Sequence, residues 1–322
     1  MHSNKERVAV VGAGLSGVLV ARGLHEQGWQ VEVFEKSRGS GGRLASARLG
    51  EGAIDLGAAA LTELQRQHLL ALAPEAEGLL QAWDVQLGQL DGQRSDRVET
   101  LHVPGARSSA LTRGLLDGVP LHTAVRVGAM QPAGQGGWSL EDDQGRALGT
   151  FEKVVIATPA PQAVPLLRAL PELSAWAAAH PMFPQWVLIL TTEQPLPGLD
   201  GMDWLEGAHP VLSRVIRNGA KPGRDPGQWV LQASREWSAA RVEASAEAMA
   251  QELMAAFNAL CGETVNVAAM RAHRWLYAGA DPSAMPVPPS DSVQVCGDWT
   301  EAGGSGIEAA IDSARRVLSH WS

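Results

Sequence analysis

Two groups of residues near the start of the chain have the types and spacing for chemistry on a nucleotide. Gly12, Gly14 and Gly17 form G-x-G-x-x-G directly after the β-branched run RVAVV. In such a turn the first glycine permits the tight bend, the second lets a pyrophosphate approach the backbone, and the third lets helix and strand pack. Glu35 lies 23 residues after Gly12, at the end of the next apolar run. A carboxylate there accepts hydrogen bonds from both hydroxyls of an adenosine ribose and disfavours a 2′-phosphate, so the expected ligand is NAD or FAD rather than NADP. The stretch KSRGSGGR follows, where Lys36, Arg38, Gly41, Gly42 and Arg43 add bare backbone and positive charge. That second set points to a longer dinucleotide, wrapped more deeply than NAD.

These groups need a scaffold, and the surrounding pattern supplies one. A buried strand over 7–12, a helix from Leu15 to Gln27 stopped by Gly28, and a strand from Trp29 to Phe34 form a βαβ unit. The Leu-, Gln- and Ala-rich stretch from Leu61 to Asp91 reads as helical, and Val119 to Phe151 as glycine-punctuated hairpins. KVVIATPAP at 153–161 is another buried strand, followed by strands at WVLILTT and WVLQAS and a helix over 239–260. A last strand at VQVCGDW leads into an amphipathic helix from about Gly306. The expected fold is α/β, with the cofactor domain built from residues 1–60, 96–160 and 273–322. A mixed α+β substrate domain is expected from 61–95 and 161–272.

Composition narrows the function. The 322 residues carry 26 basic and 35 acidic side chains, a formal charge of −9, without the basic footprint of a nucleic-acid binder. Two cysteines, Cys261 and Cys296, are too few and too far apart for a disulfide framework, so a reducing, cytoplasmic setting is the expectation. No membrane partner is expected either, because no apolar run reaches the length of a span and MHSNKER lacks a secretory h-region. The nine histidines show no metal-binding spacing, so no metal is expected.

KSRGSGGRLAS resembles the second fingerprint of the FAD-dependent amine oxidase superfamily, and VQVCGDWTEAGGSGIEAAIDSA resembles its closing motif. The resemblance implies a Rossmann-like FAD-binding domain of the glutathione-reductase/amine-oxidase type. It assigns Gly297 and Asp298 to the ribityl chain, and Gly303, Gly304, Gly306, Ile307 and Glu308 to the helix start against the flavin. That helix N-terminus would stabilise charge on the reduced ring. It also assigns Asp55, Leu56 and Gly57 to a turn beside the ring and the Val125 backbone to the adenine. FAD is expected to be non-covalent, since the closing motif offers no His or Cys beside the ring. Ala309 departs from the usual Glu-Gly-Ala.

Within that superfamily the chain most resembles the renalase-like branch, through KSRGSGGR, IDLGA, VVIATPAPQA, RN…KP at 217–222, the Trp229–Ser238 pattern, AHRWLYA and VCGDW, in collinear order. This implies hydride transfer from 2- or 6-dihydronicotinamide isomers of NAD(P)H to FAD, with O2 as acceptor. Ala59, Ala60 and Leu61 stand where the branch carries Gln-Tyr-Phe, so an amine or a biosynthetic intermediate remains an alternative substrate. A non-catalytic flavin protein is a further alternative. His273, Arg274 and Trp275 are the candidates for placing the substrate, by cationic contact and indole stacking. Asn218 and Trp237 are weaker candidates, and Trp186 reads as core. With a single Tyr, a tyrosine-built amine cage is excluded.

Overall fold

The computed structural model describes residues 6–50, 52–134, 136–282, 285–303 and 306–321. Arg7–Val11 is the central strand of a five-stranded parallel sheet. Gln30–Glu35 and then Leu121–Thr123 lie on one side of it, and Lys153–Ile156 and then Val293–Val295 on the other. The central strand is buried on both faces, as its unbroken Val-Ala-Val-Val run requires. One face carries the helices Leu15–Glu26 and Ile307–His320. The other carries a three-stranded antiparallel meander, Val127–Pro132, Trp138–Asp142 and Ala147–Phe151, with the helices Ala160–Leu166 and Pro171–Ala178. The glycine-punctuated hairpins read from the sequence are this meander.

A seven-stranded mixed sheet forms the second layer system. Its order runs Val267–Ala280, Met182–Thr192, Gln228–Ala233, Leu212–Ile216, Trp204–Glu206, Leu80–Gln89, Arg94–Pro104. One face packs on the helix Ala246–Cys261 through Trp186, Leu188, Leu190, Leu231 and Phe257. The opposite face packs Val187, Ile189, Val230 and Ile216 under a two-stranded ribbon, Ser46–Leu49 and Gly52–Asp55. Alternation along each strand sorts these residues between the faces.

Several sequence expectations change here. The helical reading of 61–91 holds for Glu63–Leu72, which opens on a capping box between Thr62 and Gln65, and for the short 3-10 helix Pro74–Leu79. Leu80–Gln89 is a strand instead, because Trp83 and Val85 recur with period two and bury against the ribbon while Arg94–Pro104 pairs alongside. The helix over 239–260 begins at Ala246, with Ser245 accepting from the Ala248 amide. Both outer domain boundaries fall inside strands of the seven-stranded sheet, since 95/96 cuts Arg94–Pro104 and 272/273 cuts Val267–Ala280. The two sides of each of these boundaries are therefore joined within one strand of the same sheet.

Candidate active site

The parallel sheet changes connection direction between Arg7–Val11 and Lys153–Ile156, and the turns leaving these strands meet at the crevice where open α/β sheets bind ligands. Gly12 has φ +108° there, and a Cβ on it would stand 2.7 Å from the Ala157 carbonyl. A Cβ on Gly17 would meet the Gly12 carbonyl at 2.2 Å, so that glycine is required by helix packing. Gly14 caps the first helix without a side-chain hydrogen bond, and nothing lies within 4 Å of where its Cβ would be. The helix N-terminus therefore faces open space with its amides free to receive an anion.

The second glycine turn closes over the first. The Gly41 amide donates to the Ala13 carbonyl at 2.8 Å, and a Cβ on Gly42 would stand 3.1 Å from the Gly14 Cα. Glu35 is buried and oriented: one carboxylate oxygen accepts from the Ala13 amide at 2.9 Å and the other from the Ser37 amide at 2.8 Å. Lys36 and Arg38 are exposed, with Lys36 Nζ on the Gln162 side chain at 2.9 Å. The Val125 amide donates to the Glu35 carbonyl at 3.0 Å, which ties the segment expected at the adenine to the end of the strand Gln30–Glu35. At the far end Gly306 begins the last helix, again without a side-chain cap and with open space around it. Gly304 lies outside the described residues. Two uncapped helix starts, two bare turns and an oriented acid fit an FAD-sized dinucleotide.

Asp298 and Arg43, drawn from opposite ends of the chain, form a bidentate ion pair at 2.7 and 2.5 Å. The Asp298 side chain is 0 % exposed and also accepts from the Gly306 amide at 3.0 Å. The Gly297 amide donates to Ser313. Glu308 contacts His68 Nδ1 through one oxygen, and its other oxygen is buried without a partner. Ile307 packs against the cofactor-domain core.

The 55–58 segment crosses the sheet face and is held mainly through its backbone. The Leu56 carbonyl accepts from Trp275 Nε1 at 3.0 Å, the Gly57 carbonyl from Gln232 Nε2 at 2.9 Å, and the Ala58 amide donates to the Arg43 carbonyl at 2.9 Å. A Cβ on Gly57 would approach that Arg43 carbonyl to 2.0 Å. Leu61 then exchanges two hydrogen bonds with His102, and its side chain enters the core. Asp55 turns away from the crevice into a buried ion cluster, with Lys221 Nζ and Arg224 Nη2 each 3.0 Å from the same oxygen. Burial alone would raise its pKa, but Lys221, Arg224 and the Ser108 amide outweigh that and hold it well below the usual carboxylate range.

Strand geometry corrects the 273–275 trio. His273 and Trp275 lie on the ribbon-side face, with their rings edge-to-face at 4.5 Å. Arg274 faces the opposite side, bonded to the Val242 carbonyl with its guanidinium 5.8 Å from the Trp186 ring, because successive residues of a strand alternate faces. Trp237 belongs to the same far-side core as Trp186, and Asn218 is buried against Gln228. Sequence reasoning missed Gln185, Gln232 and Arg271. Register places Gln185 level with Trp275, Val187 level with both His273 and Gln232, and Arg271 two residues from His273 on the same face. Burial and the Arg271 charge push the His273 pKa below its usual value, and its Nε2 is buried with no hydrogen-bond partner. No metal-holding cluster of His, Cys, Asp or Glu occurs among the described residues. None of their helices is long and apolar enough to cross a membrane.

Comparison with known families agrees with this geometry. Residues 10–75 match the NAD(P)-binding Rossmann-like domain, and residues 103–317 match the flavin containing amine oxidoreductase family. The chain belongs to that family and is an FAD-dependent oxidoreductase of the amine-oxidase type. Solved structures share the fold at low identity. A protein of Exiguobacterium sp. 255-15 superposes with TM-score 0.73 at 15 % identity, over 98 % of both chains. A putrescine oxidase variant gives 0.72 at 14 %, also over 98 % of both, and cyclohexylamine oxidase from Brevibacterium oxydans gives 0.71 at 16 %, over 98 % of this chain and 99 % of that one.

Proposed function

We propose that the enzyme removes hydride from a carbon bonded to nitrogen in a small substrate held against the polar end of the seven-stranded sheet. The observation carrying this reading is local: His273, Trp275, Gln185 and Gln232, with the cations of Arg271 and Arg214 beside them, form a polar patch on the ribbon-side face where it meets the 55–58 segment and Arg43. Bound FAD supplies the hydride acceptor, and O2 is the proposed final oxidant. The protein's part is placement and charge control. His273 stays uncharged near neutral pH, so it does not repel a developing positive charge on the substrate nitrogen. Trp275, fixed by its bond to Leu56, offers a rigid indole, and the glutamine amides line the wall without a net charge.

An amine is the first substrate class. The family match favours it, as does the likeness in fold to putrescine and cyclohexylamine oxidases. A renalase-like oxidation of 2- or 6-dihydronicotinamides is the second reading. Its hydride-bearing carbon also adjoins nitrogen, and it is favoured by Gln185, whose Nε2 is held by the Ala233 carbonyl while its Oε1 can accept from a carboxamide, and by Arg271 beyond His273. We also take FAD to be non-covalent, since both cysteines are buried and burial pushes each thiol up to about 12, which removes the thiolate nucleophile. Anaerobic mixing of the holoenzyme with amines and with 2-, 4- and 6-dihydronicotinamides tests the reading. Bleaching by amines alone selects the first class, bleaching by the 2- or 6-isomers alone selects the second, and bleaching by neither rejects both. Flavin that stays with the heat-denatured protein would reject the non-covalent assignment.

A further inference from the structure

The polar side chains of the ribbon-side patch differ in how their hydrogen-bonding atoms are used. Gln232 is committed at both ends: its Oε1 accepts from Arg214 Nη1 at 3.2 Å and its Nε2 donates to the Gly57 carbonyl at 2.9 Å. Trp275 is committed too, since its Nε1 donates to the Leu56 carbonyl. His273 keeps an unpartnered Nε2, but that atom is buried. Gln185 is held at one end. Its Nε2 donates to the Ala233 carbonyl at 3.0 Å and lies 3.5 Å from Ser213 Oγ, while its Oε1 has no partner among the described residues and is not sealed from solvent. Ser213 sits at a β-bulge, between Leu212 and Arg214, and its hydroxyl is turned onto the same Ala233 carbonyl at 3.0 Å. A flipped Gln185 amide would set oxygen against that carbonyl, so the sheet fixes which end of the side chain is presented. Register puts Gln185 level with Trp275, two residues along its strand from Val187, which is level with His273 and Gln232.

We infer that Gln185 determines substrate specificity at this site: its Oε1 accepts a hydrogen bond from an uncharged N–H of the substrate, that of a carboxamide or a deprotonated amine. The surrounding charges select the uncharged donor. Glu206, in the same cross-strand row as Gln232, is ion-paired to Arg214, and Arg271 adds positive charge two residues from His273. An ammonium group would meet that charge with no carboxylate of the row free to balance it. A neutral N–H meets a preset amide oxygen and leaves no buried charge unpaired. The assignment rests on the reading of this face as the substrate site, and it holds for either of the two substrate classes.

Benzamide and acetophenone have nearly the same shape and differ by an NH2 in place of a methyl group. Their dissociation constants can be read on the holoenzyme, without turnover, from perturbation of the flavin absorbance. Benzamide should bind the parent enzyme about tenfold more tightly than acetophenone, and about tenfold more tightly than benzylammonium at neutral pH. Gln185→Leu should weaken benzamide by about tenfold, leave acetophenone within about twofold, and leave FAD affinity unchanged. Gln185→Glu keeps an acceptor and adds a charge, so benzylammonium should gain about tenfold there. Equal affinity of benzamide and acetophenone for the parent, a preference that survives in Gln185→Leu, or no gain for benzylammonium in Gln185→Glu would each overturn the role of Gln185 while leaving the face as the substrate site. A parent flavin that none of the three probes perturbs would reject the face itself, and Gln185 with it. The Gln185→Glu arm stands even where Gln185→Leu fails to fold.

Discussion

The candidate dinucleotide crevice and the ribbon-side face of the large sheet are built by opposite means. The crevice works through what is missing: side chains are absent at Gly12, Gly14, Gly41 and Gly42, and helix amides stand uncapped. The sheet face works through what is added, a few polar groups on a wall of valine and isoleucine. Backbone recognition tolerates few substitutions because a Cβ collides at Gly12, is strained at Gly41 and Gly42, and at Gly14 fills the space left for a ligand, whereas a wall of side chains can change residue by residue. Variants in the crevice should therefore alter FAD retention, and variants on the face should alter substrate kinetics at constant FAD affinity.

The largest effect is expected at Gly57→Ala. Its Cβ would sit 2.0 Å from the Arg43 carbonyl, so the two turns must separate, lowering stability by about 3 kcal/mol and releasing flavin. Calorimetry and bound-flavin absorbance check both. Glu35→Ala should come next, weakening FAD binding by roughly 30-fold or more through loss of the oriented carboxylate and its two amide partners. Retention equal to the parent protein would remove Glu35 from the ribose site. Lys221→Met should destabilise the fold by about 3 kcal/mol, because it strips one cation from buried Asp55.

On the sheet face, His273→Phe should lower kcat/KM by roughly tenfold while leaving the FAD dissociation constant alone. In the parent enzyme any acid limb due to His273 should fall below pH 6.5, since burial and Arg271 disfavour its protonation. An equal loss of flavin in this variant would erase the contrast between the two regions. The smallest effect is expected from Arg274→Gln, whose side chain lies across the sheet from the candidate site, with kcat/KM within about twofold.

Acid should act on the same structure in a definite direction. Asp55 has a depressed pKa when folded, so its contribution to stability is full above the unfolded value near 3.8 and is lost progressively as pH falls below it. Urea midpoints between pH 5 and pH 2.5 should fall in the parent protein and fall less in Asp55→Asn.

Legibility in the sequence followed the same division. The glycine turns and Glu35 were readable because their chemistry is local, with bare backbone and an acid at a set distance along one βαβ unit. Gln185 and Gln232 come from two separate strands, and only pairing register brings them beside Trp275 and His273. Arg274 shows the converse error, since adjacency along a strand places neighbours on opposite faces. The composition of Leu80–Gln89 suits a helix, while its strand form depends on pairing with Arg94–Pro104 and with the distant Trp204–Glu206. Asp55 carried no sequence signal of its partners, which lie 166 and 169 residues away.

The 55–61 segment is anchored by Leu56, Gly57, Ala58 and Leu61 through main-chain atoms, and between the last two anchors Ala59 and Ala60 carry only methyl groups, packed with the ribbon-side core. The support does not depend on which side chains stand at 59 and 60. Ala59 is buried in that core, so half-buried Ala60 is the position where selection, or a protein engineer, can change the side chain while the loop keeps its course.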